Sequence, residues 1–208
     1  MSGGPPPALR FLDWSVAEAP HPGQAVSGDR HLVCPISGGA LLAVVDGLGH
    51  GVEAADAAGA ATDVLRAHAG DPVVGLVNRC HAALHATRGV VLSLVRIETA
   101  PPTITWTGVG NVAGLLLRAA PAAQPAREWL LARGGVVGYQ LPPLRAAVLP
   151  LAAGDKIVLA TDGLNPDFGD EARALGEVRA CAERLLARYR RFTDDALVLV
   201  ACFNGEAP

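Results

Sequence analysis

Short apolar runs bounded by glycine and proline set the rhythm of this chain. Leu9 to Glu18 alternates loosely between apolar and polar positions, the period of a half-buried strand. After the turn signal His21-Pro-Gly-Gln24, a second strand is expected from Arg30 to Cys34. Ala40 to Val45 is almost wholly apolar and predicts a buried strand ending at Asp46. The texture then changes. Val52 to Ala69 is alanine-rich with apolar residues at helical spacing, and a second helix is expected from Asp71-Pro72 to about Thr87. There Asp71 suits the N-cap and Pro72 the first helical position. Six further β-like runs follow: Gly89 to Ile97, Thr103 to Thr107, Val112 to Leu117, Glu128 to Leu131, Ala146 to Leu149 and Asp155 to Ala160. Asp170 to Arg190 reads as one helix with a charged face, and Ala196 to Phe203 as a closing strand.

Strands, two helices, a block of strands, a helix and a strand make an α+β order, not an alternating βαβ one. Two sheets covered by helices suit it. No internal repeat is visible. Residues 1–8 are expected to form a disordered lead and 9–208 a single domain.

Composition narrows the picture. Half of the 208 residues are hydrophobic and few are aromatic, so the core must be built from Ala, Val and Leu. The formal net charge is −3 and no basic block stands out, which gives a nucleic-acid partner no electrostatic support. Cys34, Cys80, Cys181 and Cys202 are far apart and form no CxxC pair. They are expected to be reduced core residues of a cytoplasmic protein. No signal-peptide pattern and no apolar run of about 18–20 residues is present, so no membrane association is expected.

The candidate chemistry lies in acids at strand ends. One apolar strand delivers Asp46-Gly47, and another delivers Asp162-Gly163. Asp194-Asp195 sits just before the last strand, and Asp29 follows Ser27-Gly28. Hard divalent cations prefer carboxylate, carbonyl and water oxygens. Several acids gathered at strand ends repel one another unless cations neutralise them. Two metal ions would also activate water for attack on phosphorus, so no Cys or Ser nucleophile is needed. The chain has no CxxxxxR loop and no GxSxG elbow. His81 and His85 are four apart, but the Glu of HExxH is replaced by Ala82, and a solvated helix face is expected. Asn111 reads as a turn residue, and Arg184 to Arg191 as a solvated helix end.

Four motifs in order, Asp46-Gly-Leu-Gly-His-Gly51, Gly108-Val-Gly-Asn111, Ala160-Thr-Asp-Gly-Leu164 and Thr193-Asp-Asp-Ala-Leu-Val-Leu-Val200, resemble the PPM family of metal-dependent serine/threonine phosphatases. Within it the chain is similar to the short bacterial branch of stressosome feedback and sporulation stage II phosphatases, over roughly residues 9 to 203. The resemblance implies two antiparallel β-sheets packed as a sandwich and flanked by α-helices, with a Mn²⁺ or Mg²⁺ pair between them. It implies Asp46 as the metal-bridging acid, the Gly47 carbonyl, Asp162 and Asp194 as further ligands, and Asp29 as a metal-site acid acting through water or from behind the direct ligands. Asp195 is a further ligand candidate and stands where larger relatives have Asn. Larger relatives carry a general-acid His two positions after the bridging Asp. Here that position is Leu48, and His50 follows two later. Arg10 and Arg30 are the candidates for the family's early phosphate-binding Arg.

The resemblance further implies a phosphorylated regulatory protein as substrate, of the stressosome-scaffold or anti-sigma-factor-antagonist type, in a partner-switching stress pathway. Two other readings of the same acids are an inactive phosphatase-like binding module and a metal-dependent hydrolase of a small phosphoester.

Overall fold

The computed structural model describes residues 9–174 and 176–205, so the expected lead at 1–8 lies outside the described residues. Among the described residues there are ten strands and four α-helices. In chain order they are β1 (Leu12–Ala19), β2 (Asp29–Ile36), β3 (Gly39–Gly47), α1 (Val52–Ala67), α2 (Val73–Ala83), β4 (Val90–Thr99), β5 (Pro102–Val109), β6 (Ala113–Leu117), β7 (Arg127–Leu130), β8 (Ala147–Pro150) and β9 (Lys156–Ala160). A 3₁₀ turn (Pro166–Phe168), α3 (Gly169–Ala174), α4 (Val178–Tyr189) and β10 (Ala196–Phe203) complete the chain. The strands form two five-stranded antiparallel sheets, ordered β1-β10-β9-β6-β7 and β2-β3-β4-β5-β8.

Successive strand residues point to opposite faces, and here both faces are buried. From β3, Leu42 and Val44 join Ile157 and Leu159 of β9 and Leu197 and Leu199 of β10 in a core between the sheets. Their neighbours Leu41, Ala43 and Val45 pack instead under Ala57, Ala61 and Leu65 of α1 and Leu76 and Val77 of α2. On the other outer face, Val158, Ala160, Val198 and Val200 pack under Cys181, Ala182 and Leu185 of α4. The molecule is thus a helix–sheet–sheet–helix sandwich. Double burial is the reason β3 and β10 read as continuous apolar runs and do not alternate. The alanine content of α1 has a packing reason too: small side chains let the helix lie close on the sheet.

Three expectations need correction. The single helix expected over Asp170 to Arg190 is interrupted, with Glu177 extended (φ −78°, ψ 135°) ahead of α4. Gly176 precedes that residue, and glycine is a poor helix former because its backbone loses the most entropy on ordering. Asp71 does not cap α2. Pro72 occupies that place without a side-chain bond, and the Asp71 carboxylate accepts a hydrogen bond from Arg79 Nε at 2.7 Å. Of the four cysteines, Cys80 and Cys181 are buried, whereas Cys34 and Cys202 are partly exposed. All four are free thiols, and burial pushes the Cys80 thiol up to about 12. Among the described residues no helix is long and apolar enough to cross a membrane.

Candidate metal centre

Antiparallel pairing brings the acids to one end of the sandwich. In the second sheet Asp29, the first residue of β2, is the register partner of Asp46 near the end of β3. In the first sheet β9 ends at Ala160, which pairs with Val198, so Asp162 and the Asp194-Asp195 pair emerge side by side. β1 ends beside them, with Ala19 opposite Ala196.

Each Asp-Gly pair has the same physical purpose for its glycine, and it is close approach. A Cβ on Gly47 would stand 2.1 Å from the Ala54 carbonyl oxygen in α1. One on Gly163 would stand 1.9 Å from the Asp195 carbonyl oxygen. Neither distance is compatible with any side chain. The glycines therefore let α1 and the Asp194-Asp195 segment press against the loops that carry the acids.

Asp46, Asp162 and Asp194 line one crevice of about 470 Å³, together with Asn111, Gly110 and the Gly134-Gly135-Val136 segment. Asp29 and Asp195, 1% and 3% exposed, lie behind them. Asp195 accepts hydrogen bonds from the backbone N–H groups of His21 (2.7 Å) and Gly28 (2.9 Å), which ties the end of β1 and the start of β2 to β10. Asp29 Oδ2 accepts from the Thr161 hydroxyl at 2.8 Å. That hydroxyl in turn accepts from Leu197 N at 2.9 Å, so one oxygen links the two sheets. Asn111 Nδ2 donates to Asp162 Oδ2 at 2.6 Å.

Burial raises the carboxyl of Asp46 to about 9, and the neighbouring acids Asp29, Asp162, Asp194 and Asp195 reinforce the shift. Asp29 is raised to about 7, again first by burial, against the Thr161 hydrogen bond. Asp162 is raised by burial and by Asp194, while Arg191 and Asn111 oppose the shift. The site thus concentrates negative charge in a poorly solvated place without supplying enough cations to balance it. Among the described residues no three His, Cys, Asp or Glu side chains close tightly enough around one point to enclose an ion by themselves. The donor set nonetheless fits a hard divalent ion. It is all oxygen, it opens onto solvent through the crevice, and Mg²⁺ in particular keeps several waters and takes few protein carboxylates.

The remaining sequence candidates lie elsewhere. His50 is exposed and stacks on His21, with ring centroids 4.6 Å apart. Arg30 turns its guanidinium onto the carbonyls of Ser27 and Asp29, each at 2.8 Å. His81 and His85 are not a simple solvated face. Gly138 N donates to His81 Nδ1, and His85 Nδ1 meets Gly138 O, both at 3.0 Å, so the two rings clasp the segment that forms one crevice wall. Asn111 and Thr161 escaped sequence reasoning as functional residues. Their motif positions were the only signal, since their partners lie 51 and 132 residues away.

The comparisons agree with this geometry. A family model described as Stage II sporulation protein E (SpoIIE) matches residues 37–204. The phosphoserine phosphatase RsbX of Bacillus subtilis (strain 168) is 28% identical over 149 residues, 70% of this chain and 72% of RsbX. A chain from a structure of the bacterial stressosome, described as a modular system adapted to control secondary messenger signalling, superposes with a TM-score of 0.85 at 29% identity, covering 91% of this chain and 98% of that one. A crystal structure of RsbX in complex with magnesium has the same fold, with a TM-score of 0.83 at 23% identity and 93% and 96% coverage. From the sheet order, the gathered acids and the matched model together, the chain belongs to the Stage II sporulation protein E (SpoIIE) family and folds as a PPM-type serine/threonine phosphatase domain.

Proposed function

We propose that this chain hydrolyses phosphoserine or phosphothreonine on a folded regulatory protein of a partner-switching stress pathway. The chemistry would use two divalent ions, Mg²⁺ or Mn²⁺, which Asp46, Asp162, Asp194 and the Gly47 carbonyl would hold. The observation that carries this reading is the convergence of Asp46, Asp162 and Asp194, from two different sheets, on one crevice. Similarity to RsbX, a phosphoserine phosphatase, supports the substrate class, and the RsbX–magnesium structure supports the ion. Similarity to a chain from a stressosome structure supports the pathway.

Bound divalent ions would supply Lewis acidity and a water that loses its proton near neutral pH. The chain's own residues set the stage for that step. Asp46, Asp162 and Asp194 would hold the ions, while Asn111 holds the Asp162 carboxylate in place. Asp29, steadied by Thr161, orients water behind Asp46 or binds directly, and Asp195 is proposed to brace the site through its two backbone N–H bonds. In the reaction a water oxygen bonds to phosphorus, the phosphorus–oxygen bond to the serine or threonine breaks, and the departing oxygen takes a proton. The open crevice suits a phosphoresidue presented on a protein surface.

The test is hydrolysis of an aryl phosphate with added Mn²⁺ or Mg²⁺ by the wild type and by Asp46→Asn, beside calorimetric titration of each ion. Ion-dependent turnover by the wild type, falling on the order of a hundredfold or more in the variant, is expected. Equal activities, or a wild type that binds neither ion, would refute the reading. Turnover of a phosphorylated folded domain, a phosphopeptide and free nucleotides then separates a protein substrate from a small phosphoester.

A further inference from the structure

Accepting the phosphatase reading, a phosphoryl group must enter a crevice whose lining contains three acids and no cation. Ions neutralise the acids, but the dianion still needs directional donors. Guanidinium is suited to this, because its planar fork matches two phosphate oxygens at once.

The arginines expected from sequence do not reach. Arg10 precedes β1 at the end where Leu12 pairs with Phe203, opposite the acids. At about 3.3 Å per residue, the eight residues of β1 put it about 25 Å away. Arg30 is held on two backbone carbonyls. Arg88 sits beside Gly49 at the crevice lip, but it is ion-paired with Glu53.

Arg191 is placed differently. Its backbone N–H donates to the Gly163 carbonyl at 2.7 Å, which anchors the residue against the segment that carries Asp162. Three residues later the chain reaches Asp194. The residue is therefore fixed between two acid-bearing segments, while its side chain is exposed. Among the described residues that guanidinium makes no ion pair within 4 Å, although its field reaches the Asp162 carboxylate. Its neighbours are committed elsewhere: Arg188 pairs with Glu171, and Arg190 donates to the Pro20 carbonyl and lies over the Phe192 ring. We propose that Arg191 is the substrate-binding residue that grips the phosphoryl oxygens from the rim of the crevice. The rival cation is Arg133, exposed on the opposite wall next to Gly134.

The experiment compares wild type, Arg191→Ala, Arg191→Lys and Arg133→Ala. Three quantities are read: KM and kcat for an aryl phosphate, inhibition by inorganic phosphate, and calorimetric binding of Mg²⁺ or Mn²⁺ alone. For Arg191→Ala, KM and the phosphate inhibition constant should both rise about tenfold or more, with partial recovery in Arg191→Lys. Ion affinity should hold or tighten, since a positive charge beside Asp162 has gone. That opposite sign separates phosphate binding from damage to the ion site. An unchanged phosphate constant in Arg191→Ala, a loss carried by Arg133→Ala instead, or a fall in ion affinity would overturn the assignment. A wild type that neither turns over the ester nor binds an ion would refute the phosphatase reading, and Arg191's role with it.

Discussion

Asp29 and Asp46 are register partners across β2 and β3, two carboxylates facing each other at the open end of one sheet. Such a pair is stable only if protons or cations separate the charges.

The first prediction follows from that pairing. Both carboxyls are raised in the folded state, Asp46 to about 9 and Asp29 to about 7, from an ordinary value of 3.8. Between these values the native state holds protons that the unfolded chain has released, so stability falls as pH rises. The contribution is complete below about pH 4 and is lost as pH passes 7 and then 9. Asp162, Asp194 and Asp195 face the same pair and add to the effect at Asp46. Thermal melts in chelator from pH 5 to 9 should therefore show a falling midpoint, and saturating Mg²⁺ should flatten or reverse the trend. Ion affinity should rise with pH over the same range, because the ligands must first lose their protons. A chelator series whose midpoint rises with pH would contradict the assignment.

Gly163 tolerates no side chain. A Cβ there would lie 1.9 Å from the Asp195 carbonyl oxygen, and backbone cannot swing aside as a side-chain tip can. Gly163→Ala should cost about 3 kcal/mol, a fall of roughly 6–12 °C in Tm for a domain of this size. Ion binding should weaken in parallel, since Asp162 and the Asp194-Asp195 pair would be pushed apart. A melt within 2 °C of wild type would show that the approach is looser than the structure has it.

The clasp of His81 and His85 on Gly138 offers a third measurement. Replacing both with alanine removes one acceptor and one donor from the backbone of Gly138, whose neighbour Val137 stays held by its pairing with Val90. Amide exchange at Gly138 should accelerate about tenfold, while exchange in β3 and β10 stays unchanged. Unaltered exchange at Gly138 would mean that the strand pairing alone secures this wall.

Much of the architecture could be read from the chain, because double burial leaves a plain mark. Leu41 to Val45 and Ala196 to Phe203 are apolar on both faces, and the segments between glycine and proline turns map onto strands. The acids Asp46 and Asp162 were visible because each ends such a run beside a glycine. What stayed hidden were long-range partners. Nothing local to Thr161 says that its hydroxyl will meet Asp29, nor that Asn111 will steady Asp162. His81 and His85 show helical spacing, yet the Gly138 peptide they hold lies 57 and 53 residues away. The interruption before α4 is hard to see in the sequence because apolar residues continue at helical spacing past Gly176, and one glycine is a weak signal against them. Arg191 looked like one charge in a run of arginines, and only the bond to Gly163 singles it out.

The acids come from both sheets, and this sets what controls their spacing. Asp29 and Asp46 move with one leaf of the sandwich, Asp162 and Asp194 with the other. Among the described residues the Thr161 hydroxyl, the Asp195 carboxylate and the Ser93 hydroxyl, which donates to the Val112 carbonyl at 2.8 Å, link the leaves at that end. The gap that the proposed ions would span is therefore a matter of how far one leaf is offset from the other. That offset is fixed by interlocking side chains deep in the core, such as Leu42, Leu159 and Leu199. Changes of a single methyl group there, three to five residues along the strands from Asp46, Asp162 and Asp194, would alter ion preference before they altered the fold.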